Sequence, residues 1–262
     1  TRPIAPTADL AAAAPTQIAM AVATVTPAKP PRPVVRPPAP GAVDYRALDY
    51  TRWSPAQRVI RAVTTVGFSC LSRIDTDGLG HIPREGPCVL AVNHLSMADV
   101  PLLLTLLPRR AIILAVDELK QFRILDWFVS DLGQAIYVAR NQVEDESLQQ
   151  ALAVLDSGGL IALAPEGTRS KTGLLRGRTG VAYLATQADV PVVPLVAWGQ
   201  ERWRMRFAGV SRIPIRVRAG APLRFPAGPA LATDLRAHTD TVMLQMAALL
   251  PAEYRGIYGS RT

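Results

Sequence analysis

The chain has 262 residues, enough for one large domain or two small ones with a sizeable core. Its 29 Lys and Arg against 21 Asp and Glu leave a net charge of +8, which suits an anionic partner: a membrane surface, a nucleic acid or a phosphorylated substrate. Two cysteines, Cys70 and Cys88, exclude a disulfide framework, and three histidines without close cysteine spacing exclude a zinc finger.

Residues 1–48 form a Pro/Ala-rich tract that holds ten of the 23 prolines. Proline removes backbone donors and small side chains bury little area, so a disordered or extended tail is expected, with the folded domain spanning 49–262. Its Leu10–Val25 stretch is Ala- and Thr-rich, is broken by Pro15 and reads as low complexity. No run of about 18 uncharged apolar residues appears, so no spanning helix is expected.

Pro55–Arg73 predicts a helix, with proline in its first turn and Val59, Ile60, Val63, Val66, Gly67 and Cys70 on one side. Arg52, Arg58, Arg61 and Arg73 flank it, so it suits either a membrane interface or the protein core. Cys88–Val92 predicts a buried strand and Ala98–Leu107 a helix. Strands at Ala111–Ala115, Ala135–Val138, Leu160–Ala164 and Val192–Ala197 alternate with helices at Glu118–Val129, Glu144–Leu155 and Thr179–Gln187. Ile213, Ile215 and Val217 alternate with arginines as in a half-exposed strand, and Leu235–Leu250 closes the chain with a helix. This alternation predicts a single α/β domain with a mostly parallel or mixed central sheet flanked by helices.

Chemistry in such sheets gathers beyond the carboxyl ends of strands, so three loops matter: those after Val92, Ala164 and Ala197. The first reads Asn93-His94-Leu95-Ser96-Met97-Ala98-Asp99. Asp99 can receive the Nδ1 proton of His94, fix its tautomer and leave the other ring nitrogen outward as a base. The alternative is a plain loop histidine near an aspartate that the helix dipole favours anyway. The second loop, Pro165 to Gly173, is rich in glycine, hydroxyls and cations. Gly167 permits unusual backbone angles and Arg169 can grip a phosphate with two bonds, although a polar turn would have the same composition. The glycine spacing of a nucleotide P-loop and the Gly-x-Ser-x-Gly elbow of serine hydrolases are absent. After the third strand, Trp198, Trp203, Met205 and Phe207 interleave with Arg202, Arg204 and Arg206, as an interfacial patch or an amphipathic edge would.

Four blocks in order resemble the lysophosphatidate acyltransferase family, the glycerolipid acyltransferases of the NHxxxxD type. They are Asn93-His94 with Asp99; Gly133 to Arg140; Pro165-Glu166-Gly167-Thr168-Arg169-Ser170; and Val190-Pro191-Val192-Val193-Pro194. The second block departs from the family pattern: it has one extra residue, and Ala139 stands where an acidic residue is common. Ala164 replaces the phenylalanine that usually opens the third block, and Val116-Asp117 precedes Glu118-Leu119 where the family often has a lysine.

The resemblance implies acyl transfer from acyl-CoA or acyl carrier protein to the hydroxyl of 1-acylglycerol 3-phosphate, forming phosphatidate. It implies His94 as base and Asp99 as its orienter. Arg169 with Arg140 would bind the acceptor phosphate, and Glu166, Gly167 and Thr168 would shape the substrate loop. It also implies no metal or other cofactor, and a peripheral or monotopic site on the cytoplasmic face of the cell membrane. Another lyso-lipid, such as a lyso-ornithine lipid, is the nearest alternative acceptor; a non-catalytic membrane-surface binder is the alternative outside the class. Nucleic-acid binding has only the charge in its favour, with no recognition motif or stacking platform.

Overall fold

The computed structural model describes residues 43–116, 136–138, 145–170, 172–202 and 212–259. The tail to residue 42, the helix expected at Glu118–Val129, Arg140, and the aromatic-cationic stretch from Trp203 to Phe207 lie outside the described residues. Among the described residues, seven strands form one mixed sheet in the order β1-β7-β6-β2-β5-β3-β4. They are β1 (Ser72–Asp77), β2 (Cys88–Val92), β3 (Ala111–Val116), β4 (Ile136–Val138), β5 (Leu160–Leu163), β6 (Val192–Trp198) and β7 (Ile213–Ala219). Pairing is parallel except between β6 and β7.

The central strands read as unbroken apolar runs because both faces of the sheet are covered. Successive side chains of β2 point to opposite faces. Val89 and Ala91 enter one core with Leu152, Leu184, Met243 and Tyr258, and Cys88 and Leu90 enter the other with Leu102, Leu107 and Val193. The first core is covered by α3 (Asp145–Asp156), α4 (Gly180–Ala188) and α5 (Ala232–Leu249). The second is covered by α2 (Asp99–Leu106), with α1 (Pro55–Leu71) packed beside it. Packing in the first core reaches back to Tyr45 and Tyr50, both buried.

Ser54 and Gln57 form a capping box at the start of α1, and Pro55 occupies its first turn. The helix stops at Leu71, two residues before the expected end, because Ser72 turns extended and its hydroxyl caps Phe68 O at 2.6 Å. Strand β1 then pairs with β7 at the sheet edge.

Two short helical turns, Ala252–Tyr254 and Gly256–Tyr258, fold back over the loop that follows β5. Leu174 N donates to Tyr254 O at 3.0 Å and Ile257 N donates to Leu174 O at 3.1 Å. Gly256 makes this approach possible: its φ is +53°, and a Cβ there would lie 2.1 Å from Leu174 O. Gly256→Ala is therefore expected to cost more than about 1 kcal/mol, read as a lower urea unfolding midpoint.

Candidate active site

Strands β6, β2 and β5 are adjacent and parallel, so the loops at their carboxyl ends meet. Asn93 continues the β2–β6 ladder with its side chain. Its Nδ2 donates to Ala197 O at 2.9 Å, and its Oδ1 accepts from Ala197 N at 2.8 Å. This amide rung fixes the place where the backbone leaves β2, and His94 follows directly.

His94 Nδ1 lies 2.7 Å from Asp99 Oδ2. The same oxygen accepts from Leu95 N at 2.9 Å and Ser96 N at 3.0 Å, so the loop closes around the carboxylate at the start of α2. Oδ1 accepts from Ser96 Oγ at 3.2 Å and from Gln200 Nε2 at 2.9 Å. The carboxylate is an acceptor only, so Nδ1 carries the proton and Nε2 is the ring nitrogen with a free lone pair. Relative exposure is 27% for the His94 side chain and 8% for that of Asp99, which leaves the imidazole reachable and its partner shielded.

Glu166 holds the histidine from the other side. Its Oε1 accepts from His94 N at 3.4 Å and its Oε2 from Leu175 N at 2.8 Å, while Ser170 N donates to His94 O at 2.9 Å. Glu166 is 3% exposed, and burial outweighs these bonds and pushes its carboxyl up to about 7. Gly167 has φ +67°, and a Cβ there would lie 2.8 Å from Arg178 Nε. Thr168, Arg169, Arg176 and Arg178 are exposed, so one loop buries an acid and presents cations. Arg140, expected with Arg169, lies outside the described residues.

A small apolar cleft runs beside the Asp99 end of the site, between α2 and the sheet. Leu102, Leu103, Leu106, Leu195 and Val217 line it, with Asn93 and Asp99 at its polar end. Gln200 went unread in the sequence. It follows the predicted strand, but its partner Asp99 is 101 positions away, and no local spacing marks it.

The site thus brings together an imidazole bonded to a shielded carboxylate, exposed cations on the adjoining loop and an apolar cleft. Residues 73–198 match the family described as Acyltransferase. The chain is 32% identical over 143 residues to a 1-acyl-sn-glycerol-3-phosphate acyltransferase of Cocos nucifera, covering 50% of this chain and 44% of that one. It is 28% identical over 156 residues to 1-acyl-sn-glycerol-3-phosphate acyltransferase alpha of Mus musculus, covering 55% and 53%. The chain thus spans about half the length of the curated relatives it matches. The fold is shared with the crystal structure of the 1-acyl-sn-glycerophosphate (LPA) acyltransferase PlsC of Thermotoga maritima. That match has a TM-score of 0.56 at 22% identity, over 74% of this chain and 78% of that one.

The buried Glu166 gives a signed pH dependence. Its folded value of about 7 lies above the ordinary 4.5, so the folded state holds the proton more tightly. The stability this contributes is full below about pH 4.5 and falls as pH rises to about 7. Urea unfolding across this window should show Glu166→Gln gaining on the parent by on the order of 2–3 kcal/mol. An unchanged difference would mean that Glu166 titrates alike in both states.

Proposed function

We propose that the protein is an O-acyltransferase that moves a fatty acyl group from acyl-CoA or acyl carrier protein to the hydroxyl of 1-acylglycerol 3-phosphate, forming phosphatidate. The observation that carries this reading is the 2.7 Å contact between His94 Nδ1 and Asp99 Oδ2, beside a partly exposed imidazole. An alcohol has a pKa far above 7 and needs a base as it attacks. His94 Nε2 takes the hydroxyl proton while the oxygen attacks the thioester carbonyl. The tetrahedral oxyanion collapses, the carbon–sulfur bond breaks, and the thiolate leaves and takes the proton from the imidazolium. Asp99 holds the ring and stabilises its charged form. Arg169, joined by Arg140, binds the acceptor phosphate, and the Glu166–Thr168 turn supports that clamp. The reaction uses no cofactor beyond the acyl donor.

The acceptor and product are membrane lipids, so the enzyme works at a bilayer surface, which we assign to the cytoplasmic face. Among the described residues no helix is long and apolar enough to cross a membrane. Helix α1 carries Val59, Val63 and Val66 at 63%, 65% and 63% exposure, with exposed Arg52, Arg58 and Arg73 at its margins. Residues spaced i, i+4 and i+7 share one helical face, and an apolar face rimmed by cations suits the interface of an anionic bilayer. Each cation near such a surface is worth roughly 1 kcal/mol.

Purified protein with palmitoyl-CoA or oleoyl-CoA and a panel of lyso-lipids, read by mass spectrometry, should yield phosphatidate. A different acylated lipid would replace the acceptor while keeping the chemistry. His94→Ala should lower turnover by about 10²-fold or more with the fold intact; a folded, active variant would remove His94 from the mechanism. Arg169→Ala should raise the KM for the acceptor, and a rise confined to the acyl donor would move Arg169 to the donor site. Val63→Asp should weaken co-sedimentation with anionic vesicles about tenfold without lowering the unfolding temperature, because the side chain is exposed.

A further inference from the structure

We infer that Gln200 is a positioning residue for the His94–Asp99 pair, its side-chain amide holding the Asp99 oxygen that His94 leaves free. This inference rests on the proposed acyl transfer for its kinetic test and on the geometry alone for its spectroscopic one. Gln200 is 2% exposed, and its Nε2 donates to Asp99 Oδ1 at 2.9 Å and to Ala197 O at 3.3 Å. Both neighbours are acceptors only, so the amide has one workable orientation, with N–H toward the carboxylate. That orientation turns Oε1 away, and it is buried without a hydrogen-bond partner among the described residues. A buried unpaired carbonyl loses its hydration without a replacement bond, a cost that an apolar side chain of the same size would not incur. Packing therefore does not account for a glutamine here, whereas its bond to Asp99 does.

The turn that carries Gln200 is built to aim it. Gly199 has φ +100°, and a Cβ there would lie 2.1 Å from Pro214 O, so only glycine lets the chain bend off β6 at this point. Glu201 Oε2 accepts from Gly199 N at 2.8 Å, and Glu201 Oε1 accepts from Tyr254 Oη at 2.5 Å. Arg202 Nη2 donates to Tyr254 Oη at 2.9 Å. The residues on either side of Gln200 are thus pinned, one by its neighbour's carboxylate and the other by the C-terminal turns. With Oδ2 held by the His94 loop and Oδ1 by Gln200, the carboxylate plane is fixed, and the imidazole bonded to it is fixed in turn.

A double-mutant cycle tests this. Gln200→Met keeps the volume and removes the donor. It should lower kcat about 10- to 100-fold, with KM for donor and acceptor within about twofold. If Gln200 acts through Asp99, adding Gln200→Met to Asp99→Asn should cost little more than Asp99→Asn alone. Losses that multiply, or a kcat for Gln200→Met within twofold of the parent, would overturn the proposal. Should Gln200→Met fail to fold, Gln200→Glu replaces the donor by an acceptor at nearly equal size, and the same non-additivity is expected. Nitrogen-15 spectra of the histidines, with His94→Ala giving the assignment, read the site without any turnover. The parent should show one His94 tautomer protonated at Nδ1, and the Gln200 variants a mixture or faster exchange of that proton. An unchanged His94 tautomer in folded variants would reduce Gln200 to a tie between β6 and α2. An inactive parent with the expected tautomer change would leave the positioning role standing and reject the acyl-transfer reading.

Discussion

Five donors converge on the carboxylate of Asp99, and they come from separate stretches of chain: the His94 ring, two backbone amides and a hydroxyl of the same loop, and the amide of Gln200. A buried carboxylate is tolerable only when its lone pairs are met, so each of these stretches must be delivered to one point. The sheet performs the delivery. Because β6, β2 and β5 are neighbours with the same direction, their ends stand together, and Asn93 bolts β2 to β6 with a side-chain rung just before the histidine.

The loop after β5 divides its labour between its two faces. Glu166 turns inward and binds the backbone of His94 and Leu175, and burial pushes its carboxyl up to about 7. Arg169 turns outward into solvent. A glycine between them, with φ +67°, lets the chain reverse within a single residue. The acid that shapes the site and the cation available to an anion therefore sit three positions apart without forming a pair that would neutralise both.

The strands of the double-covered sheet were legible because burial on both faces leaves continuous apolar runs. The edge strand β1 was not. Its Ser-Arg-Ile-Asp-Thr-Asp sequence is mostly exposed, and only pairing with β7, some 140 positions on, makes it a strand. Within the site, His94 and Asp99 stand five positions apart and could be joined by local spacing. The bond from Glu166 to His94 crosses 72 positions and that from Gln200 to Asp99 crosses 101, so chain order alone carries neither. The residues that do the holding are ordinary polar residues, made informative only by where the sheet brings them.

The grip of the C-terminal turns on the loop after β5 also bears on how the protein is made. Leu174 and Gly177 are bound by Tyr254, Ile257 and Tyr258, and β1 waits for β7 across most of the domain. A chain emerging from the ribosome has its apolar β2 and β5 strands long before the segments that complete the sheet and close the loop. Pairings so distant in sequence form slowly, and meanwhile these strands are open to aggregation or to chaperones. The contacts that close this loop are consequently available only once synthesis has passed residue 258.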